Sequence, residues 1–524
     1  MRLYNKKRRL ALGLFLTWLF TALACSFPVQ RSSDLPYYNF GATLTAQAHP
    51  VRAQLKPATA TQSSSSLTVI NPATPAPQPG LTPTPLQSNQ SNASSFLYYT
   101  QPGDTLPALA SRFGVSPSEI ASSKPVPAQE YLEPGQQLTI PNRVGITLYA
   151  APLLPDSEVV YSPSTVGFNI QDTIQNARGY LSSYQEDVKG EQLSGADILR
   201  LVSRQTSVNP RLLLALLDYR SGWVTSQPDQ PVNSDYPLGF YVPEYRGLYL
   251  ELSLAAKVLN MGYYGWRSGA LTQLDFSTGA SIRIAPGLNA GSVALQYLFS
   301  RIDKTDTWER DLYGPENFTA FYQKMFGDPW ARAARVEPLI PAGLAQPALE
   351  LPFIAGEEWS YTSGPHDSWN TGTPRGALDF APITGEKPCA VSFTWVTASA
   401  AGVIARSDHN VVEIDLDGDG NDQTGWVILY MHVASREVIA LGTSVYEGDR
   451  IGHPSCEGGD ATGTHVHMAR KYNGEWLPAD GPAPFVLSGW TAHEGPGIFD
   501  GTLTKGDQVV SAHPDGSHNS MIVR

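Results

Sequence analysis

The chain has 524 residues, with 36 Lys and Arg against 48 Asp and Glu, for a formal net charge of −12. That length supports several domains, and the acidic balance leaves no electrostatic footprint for nucleic acid.

The chain opens with Met1-Arg2 and Lys6-Lys7-Arg8-Arg9, followed by an apolar run from Leu10 to Ala24. A basic head and a short apolar stretch make a secretory signal, and the run is too short and wrongly flanked for an ordinary spanning helix. It ends Ala22-Leu23-Ala24-Cys25, which resembles a bacterial lipoprotein box. Residues 1–25 are therefore expected to direct export and to anchor the chain through lipid on Cys25, on the outer face of the cell membrane. Plain cleavage after Ala24 is the alternative, because Ala22-Leu23-Ala24 also fits a small-residue cleavage site. No second apolar segment reaches membrane-spanning length.

Residues 26–96 include Ala73-Thr74-Pro75-Ala76-Pro77 and Thr82-Pro83-Thr84-Pro85. Such a composition cannot bury a core and reads as an extended, disordered spacer. The character changes over 97–142. Tyr99-Thr100-Gln101-Pro102-Gly103-Asp104 gives a strand and a turn, Leu106, Leu109, Ala110 and Phe113 recur at helical spacing, and Pro134-Gly135 precedes a second strand closing at Ile140-Pro141. This small α/β layout, β-α-α-β with a turn at each end, resembles a LysM module. The resemblance implies binding to glycans that contain N-acetylglucosamine, without catalytic residues.

A linker is expected at 143–175, then a mainly α-helical accessory domain at 176–345, where Ile198, Leu199, Leu201, Val202 and Leu212 to Leu217 suggest amphipathic and buried helices. Asn209-Pro210 through Tyr219-Arg220-Ser221-Gly222 distantly resembles the catalytic helix of lysozyme-like transglycosylases. Those enzymes carry an acid where this chain has Arg220, and a guanidinium has no transferable proton at neutral pH. Asp218 and Glu244 are the candidate substitutes, and nothing in the sequence favours them. The aromatics Tyr263-Tyr264-Gly265-Trp266 fit either a core or a sugar-stacking surface.

The C-terminal third carries most of the chemistry. Of 10 histidines, all but His49 lie beyond residue 360. His366, Asp379, His432 and His465-Val466-His467 follow one another in that order. Imidazole is the commonest neutral metal ligand and the commonest proton carrier near neutral pH. A zinc hydrolase needs three protein ligands, an open coordination position and nearby bases, and this set supplies them. Gly463 to Ala469 reads as a short strand whose alternation puts His465 and His467 on one face. Trp426 to Val433 reads as a buried strand that carries His432. His366 and Asp379 sit where loops lead into strands. Taken singly, a buried histidine is more often a satisfied core residue, and only the ordered set carries the argument. His409, His453, His493, His513 and His518 lack such a pattern and read as surface or loop residues.

This order and context resemble the lysostaphin/LytM-type zinc endopeptidases, over about residues 350–495. The first histidine and the aspartate lie thirteen residues apart, between Ser363-Gly364-Pro365-His366 and Ala377-Leu378-Asp379-Phe380, which is similar to the staphylolysin branch. The resemblance implies one Zn²⁺ held by His366, Asp379 and His467, with His465 and His432 as the non-ligand catalytic histidines. It implies a mainly antiparallel β metallopeptidase domain, placed at 346–495 and followed by a tail at 496–524, acting on peptidoglycan peptides. With Cys25 consumed by lipid, Cys389 and Cys456 remain as a pair that an exported setting permits to form a disulfide. Two separate thiols are the alternative. Asp415, Asp417 and Asp419, with Gly420, match the first half of a calcium loop, but Trp426 stands where the closing Glu belongs. That segment is either a hairpin tip that binds Ca²⁺ or, the favoured reading, a solvated acidic turn.

The expectation is a monomeric, exported, multidomain cell-wall hydrolase. Its partners are peptidoglycan and, through Cys25, the membrane. The alternative is a non-catalytic wall-binding or hydrolase-activating lipoprotein that keeps the fold without the chemistry.

Overall fold

The computed structural model describes residues 94–227, 234–516 and 518–524. Cys25, the signal segment and nearly all of the spacer lie outside the described residues.

The first folded unit pairs strand β1 (Ser95–Tyr99) antiparallel with β2 (Gln137–Pro141) and packs helix α1 (Leu106–Phe113) on them. Thr105 caps α1 by accepting from the Ala108 amide, and Gly114 ends it at φ 65°. Phe96, Tyr98, Leu109, Phe113, Leu138 and Ile140 form its core. The expected second helix is a single 3₁₀ turn, Pro117–Glu119.

This unit is docked on the helical domain. The Arg112 guanidinium donates to the Trp266 carbonyl, stacks over the Trp266 ring at 4.7 Å and pairs with Asp104 at 2.7 Å. Trp266 and Tyr263 are thus buried supports, which settles the sugar-stacking alternative against them.

The expected linker at 143–175 is largely structured. Leu153, Leu154, Val159 and Val160 are buried, and helix α2 (Ile170–Ala177) begins within it. A β-hairpin, β3 (Gln185–Val188) and β4 (Glu191–Ser194), leads into α3 (Gly195–Thr206) and α4 (Pro210–Ser221). Both helices have legible ends. Ser194 caps α3, and Asn209 with Pro210 starts α4, which Gly222 stops at φ 70°. The long α5 (Leu248–Ser268) is buried along most of its length. A hairpin of β5 (Gln273–Asp275) and β6 (Ser281–Arg283) precedes α6 (Ala290–Ile302), which packs on α5. Helices α7 (Thr305–Tyr313), α8 (Phe318–Phe326) and α9 (Pro329–Ala333) complete the domain. No described helix is long and apolar enough to cross a membrane.

The C-terminal domain is antiparallel. In chain order its first strands are β7 (Glu358–Asp367), β8 (Arg375–Pro382), β9 (Val396–Thr397), β10 (Gly402–Asp408), β11 (Val411–Asp415) and β12 (Trp426–Met431). There follow β13 (Ser444–Val445), β14 (Arg450–Gly452), β15 (Val466–Met468), β16 (Lys471–Tyr472), β17 (Glu475–Trp476), β18 (Val486–Leu487) and β19 (Trp490–Glu494). The last are β20 (Gly501–Lys505), β21 (Gln508–Ser511) and β22 (Met521–Val523). The main sheet runs β13-β10-β11-β12-β15-β8-β7-β22, with β16 and β17 appended beside β12. The expected tail at 496–524 is therefore part of this domain. Strands β18 to β21 form a second sheet, and β22 pairs with β7 at the edge of the first.

Side chains alternate across the sheet. Leu378, Phe380, Val412, Ile414, Ile428, Tyr430, Val466 and Met468 point into one apolar core. On the opposite face, towards the end carrying β16, the helical domain is pinned by charge. Arg204 of α3 pairs with Asp422 at 2.8 Å, and beside it Lys471 pairs with Glu413 at 3.0 Å, both fully buried. Burial tends to raise the Asp422 carboxyl, but Arg204 and Lys471, with hydrogen bonds, together outweigh it and hold it at about 2. Gln423 donates to the Tyr161 hydroxyl, and Ser207 to the Gly474 carbonyl, across the same seam.

A buried ion pair is most sensitive to loss of one member. Lys471→Ala strands Glu413 without its cation and is expected to lower the unfolding free energy by about 3–5 kcal/mol in urea titrations. Lys471→Met with Glu413→Leu, which removes both charges, is expected to recover most of that loss.

Candidate metal centre

His467 sits on β15, directly opposite Asp379 of β8, and Asp379 lies opposite Ser363 of β7. Paired residues in an antiparallel sheet share a face, so His467 and Asp379 emerge together from the face away from the apolar core. His366 reaches them because β7 is irregular. Ser363 pairs with Asp379, yet His366, not Pro365, pairs with Ala377, so the strand gains one residue between these two positions. A bulge re-aims the side chain that follows it. Here it turns His366 onto the metal face and leaves Pro365, which has no N–H, outside the ladder.

The result is a tight cluster. His366 Nε2 lies 2.7 Å from His467 Nδ1 and 3.4 Å from Asp379 Oδ1, and His467 Nδ1 lies 2.8 Å from the same carboxylate oxygen. One candidate donor atom from each of the three residues falls within 4.8 Å of the others, and all three residues are buried. Asp379 Oδ1 makes no hydrogen bond, although it is buried. Two imidazoles and a carboxylate whose buried oxygen lacks a hydrogen-bond donor fit a divalent metal such as zinc.

His465 and His432 stand beside this group. His465 lies just before β15, its Nε2 3.8 Å from Asp379 Oδ2, and its ring centroid is 4.5 Å from that of His432. His432 follows the last residue of β12 at φ 57°, a conformation rare for a side chain with Cβ. That turn lifts the ring off the strand's alternation. In three of the four histidines Nδ1 meets a backbone carbonyl: Gly364 for His366 at 2.8 Å, Gly463 for His465 at 2.7 Å and Glu457 for His432 at 2.9 Å. A carbonyl only accepts, so each Nδ1 carries the proton and each Nε2 presents a lone pair.

The electrostatics agree. Burial raises the Asp379 carboxyl, but His366, His467 and His465 outweigh it and hold it well below the usual carboxylate range. Burial, with His465 adding to it, pushes His432 well below the usual imidazole value, so it stays neutral at pH 7. Burial likewise pushes His467 down to about 4.

The other residues singled out above divide. A disulfide joins Cys389 to Cys456 on the loops flanking this centre. Asp415, Asp417 and Asp419 gather at the hairpin tip between β11 and β12. Asp415 accepts from the Asp417 and Gly420 amides, and its carboxyl is raised to about 7 by burial and by Asp417. His453, read as a surface or loop residue, lies in a loop but is buried against Trp395, bonded to the Thr394 carbonyl and to Glu437.

In the helical domain Arg220 pairs with Asp303 at 3.0 Å. Asp218 accepts from the Val224 and Thr225 amides and the Thr225 hydroxyl, so it organises a turn. Glu244 lies on an exposed 3₁₀ turn, Pro243–Tyr245. Neither carboxylate takes up the position of Arg220.

One residue at the centre escaped the sequence reading because it lies in the supposed tail. Phe499 stacks on His366 with ring centroids 5.1 Å apart, and its carbonyl accepts from the Gly364 amide at 2.7 Å. Its φ of 75° is strained for an aromatic residue. The loop comes so near that a Cβ on Gly364 would lie 2.4 Å from the Asp500 carbonyl. Phe499→Ala frees the His366 ring, and metal affinity is expected to fall by about tenfold, the lower end of what loss of a ligand-orienting partner costs. Competition with a chelating dye measures this, with little change expected in melting temperature.

Comparison with known proteins bears on this arrangement. Residues 98–141 match the LysM domain, and residues 152–340 match the family described as LasA, N-terminal domain. Protease LasA of Pseudomonas aeruginosa is 28% identical over 298 residues, covering 52% of this chain and 65% of that protein. Beta-lytic metalloendopeptidase of Achromobacter lyticus is 30% identical over 150 residues, covering 27% of this chain and 37% of that protein. The chain thus spans just under two thirds of LasA. Among solved structures, the M23 metalloprotease pseudoalterin is 24% identical, covers 32% of this chain and 96% of its own, and has a TM-score of 0.27. The lysostaphin catalytic domain of Staphylococcus simulans is 22% identical, covers 24% and 89%, and has a TM-score of 0.18. Through its sequence relatives and matched domains, the chain is similar to metalloendopeptidases of the LasA kind, with a LysM match in front.

Proposed function

We propose that this chain is an exported zinc endopeptidase that cuts peptide cross-links of peptidoglycan. The observation that carries the reading is the convergence of His366, Asp379 and His467 on one point, with His465 and His432 offering Nε2 lone pairs beside it. In this reading the three residues hold one zinc, and bound zinc supplies Lewis acidity for hydrolysis of the peptide bond.

The remaining work falls to the chain's own groups. His432, kept neutral by burial, and His465, each fixed by a carbonyl on Nδ1, can take a proton at Nε2 and return it to the leaving amine. His465 is the more exposed of the two and stands nearer the substrate side. The disulfide and the Phe499 loop hold the walls around the centre, so the histidines need little reorganisation during the reaction.

Export, the lipid anchor at Cys25, targeting to the wall by the LysM domain and a monomeric state belong to the same proposal. Calcium at Asp415, Asp417 and Asp419 is its least supported part, because the turn already uses its carboxylates on its own amides.

Metal analysis and wall digestion test the proposal together on the full exported chain. The expected result is one zinc per chain and new amino ends released from purified peptidoglycan. His467→Ala is expected to lose both, and His465→Ala to keep the zinc while cleavage falls by at least about a hundredfold. Calcium that stays bound through dialysis in the wild type and is lost in Asp415→Asn would assign the acidic turn. A zinc-free chain that binds the wall without cutting it would overturn the enzymatic reading in favour of a wall-binding protein.

A further inference from the structure

His432 works from a strained position. It follows the last residue of β12 at φ 57°, and its Nδ1 meets the Glu457 carbonyl at 2.9 Å. A side chain with Cβ keeps such a φ only where its surroundings over-determine it. What over-determines it here is a second stretch of chain, Pro454 to Gly458, laid along the kink.

The grip begins with the backbone. Val433 pairs with Pro454, Ser455 pairs with His465, and the Ser455 hydroxyl donates to the His432 carbonyl at 2.8 Å. Both histidines beside the metal group therefore lean on the same short segment. From the other side, the turn between β10 and β11 closes on Val433. The Val433 amide donates to the Asn410 carbonyl at 3.2 Å, and Asn410 Nδ2 donates back to the Val433 carbonyl at 3.2 Å.

Glu457 ties these two supports together. Its Oε2 accepts from Asn410 Nδ2 at 2.7 Å, from the Ser435 amide at 3.0 Å and from the Ser435 hydroxyl at 2.8 Å. A carboxylate accepts stronger bonds than a neutral oxygen does. The disulfide at Cys456 holds the chain just before Glu457. The Glu457 carbonyl lies after its Cα, where Gly458, at φ 82°, packs on the same turn: a Cβ there would lie 2.5 Å from Asn410 Cβ. The direction of that carbonyl thus depends on the carboxylate and on Gly458 as well as on the disulfide.

We propose that Glu457 is a positioning residue. Its carboxylate, clamped on Asn410 and Ser435, holds its own carbonyl on His432 Nδ1 and so keeps Nε2 as the nitrogen that accepts a proton. The inference rests on the endopeptidase reading for the reaction that His432 serves, and on the hydrogen bonds alone for the clamp.

Two readouts on the full exported chain with its zinc test it. One is steady-state cleavage of soluble fragments of purified peptidoglycan. The other is nitrogen NMR of protein labelled at histidine, which reports the ring nitrogen that carries the proton; the His432 signals are assigned by their loss in His432→Gln. Glu457→Ala is expected to lower kcat by about 10–100-fold, a part of the roughly 10²–10⁴-fold that acid–base catalysis contributes. KM, zinc content and melting temperature stay near those of the wild type. In the same variant the His432 ring shifts from Nδ1–H towards Nε2–H, because the carbonyl no longer sets the tautomer. Glu457→Gln keeps the reach and an accepting oxygen, and recovers most of both effects. Glu457→Asp, one methylene shorter, does not. If Glu457→Ala fails to fold, the contrast between Gln and Asp makes the same test.

In a chain that cuts the wall fragments, an unchanged kcat in Glu457→Ala would overturn the inference. A kcat lost together with zinc or melting temperature would also overturn it, leaving Glu457 a plain structural anchor. So would a raised KM with an unchanged His432 tautomer, which would place Glu457 on the substrate. A tautomer that shifts in Glu457→Ala, in a chain that cuts nothing, would uphold the clamp and sink the endopeptidase reading.

Discussion

The metal centre depends on the two-residue period of the sheet and on one interruption of it. Because strands alternate, Val466 and Met468 can fill the apolar core only if His467 faces away from it, and the same holds for Asp379 between Leu378 and Phe380. The core therefore fixes two of the three candidate ligands without any metal. A one-residue slip of β15 against β8 would bury an imidazole in the apolar layer and expose two hydrophobic residues, and the burial term forbids it. His366 is the exception. The regular register would aim Pro365 at the site, and the bulge substitutes His366. The bulge is in turn held by the Gly364 amide on the Phe499 carbonyl. Two ligands come from packing and the third from a local irregularity that a distant loop supports.

The same face explains how the domains are arranged. A sheet that builds its chemistry on one side cannot cover that side with apolar contacts of its own. Over the β16 end the covering is supplied by α3 of the helical domain, and the contact includes an ion pair and a hydrogen bond, Arg204 to Asp422 and Ser207 to Gly474, laid beside the sheet's own buried pair of Lys471 and Glu413. Such seams are costly to bury and specific once formed, because every charge needs its partner in place. The LysM unit follows the same logic, with Arg112 and Asp104 buried together against Trp266. The LysM unit, the helical domain and the C-terminal domain are consequently packed against one another in the described structure. That arrangement differs from the beads on a string suggested by composition alone.

How much could be read in advance follows from which interactions are local. The helices around Ile198 to Val202 and Leu212 to Leu217, the apolar strand that starts at Trp426, and the order of the five site residues are carried by neighbouring side chains, and they were legible. The position of His366 within β7 was not, because a bulge leaves no mark on hydrophobic alternation beyond Gly364-Pro365. Strands β20 to β22 were missed because their pattern is weak: Val509 and Val523 are exposed, Leu503 and Ile522 are buried, and Val510 is only partly buried. The linker expected at 143–175 hid buried residues such as Leu154 and Val160 among prolines and serines. His453 is a loop histidine, and its burial could not be read because its partners, Trp395 and Glu437, are far away in sequence. In each miss the deciding contact is long-range.

The histidines show why the set outweighs its members. A buried imidazole can meet its needs with one carbonyl and remain inert, and His453 does something close to this with Thr394 and Glu437. His366, His465 and His432 also spend Nδ1 on a carbonyl, yet His366 Nε2 meets His467 and Asp379, His465 Nε2 lies near Asp379, and the His432 and His465 rings lie side by side. A structural histidine bonded at both nitrogens has no further capacity. Imidazoles whose second nitrogens turn towards other imidazoles and a carboxylate gather that capacity at a single point. The folded chain holds them there against burial that raises Asp379 and lowers His432, and a bound cation would offset that burden at Asp379. The centre is built to be completed by a metal, and its stability without one is the weaker part of the design.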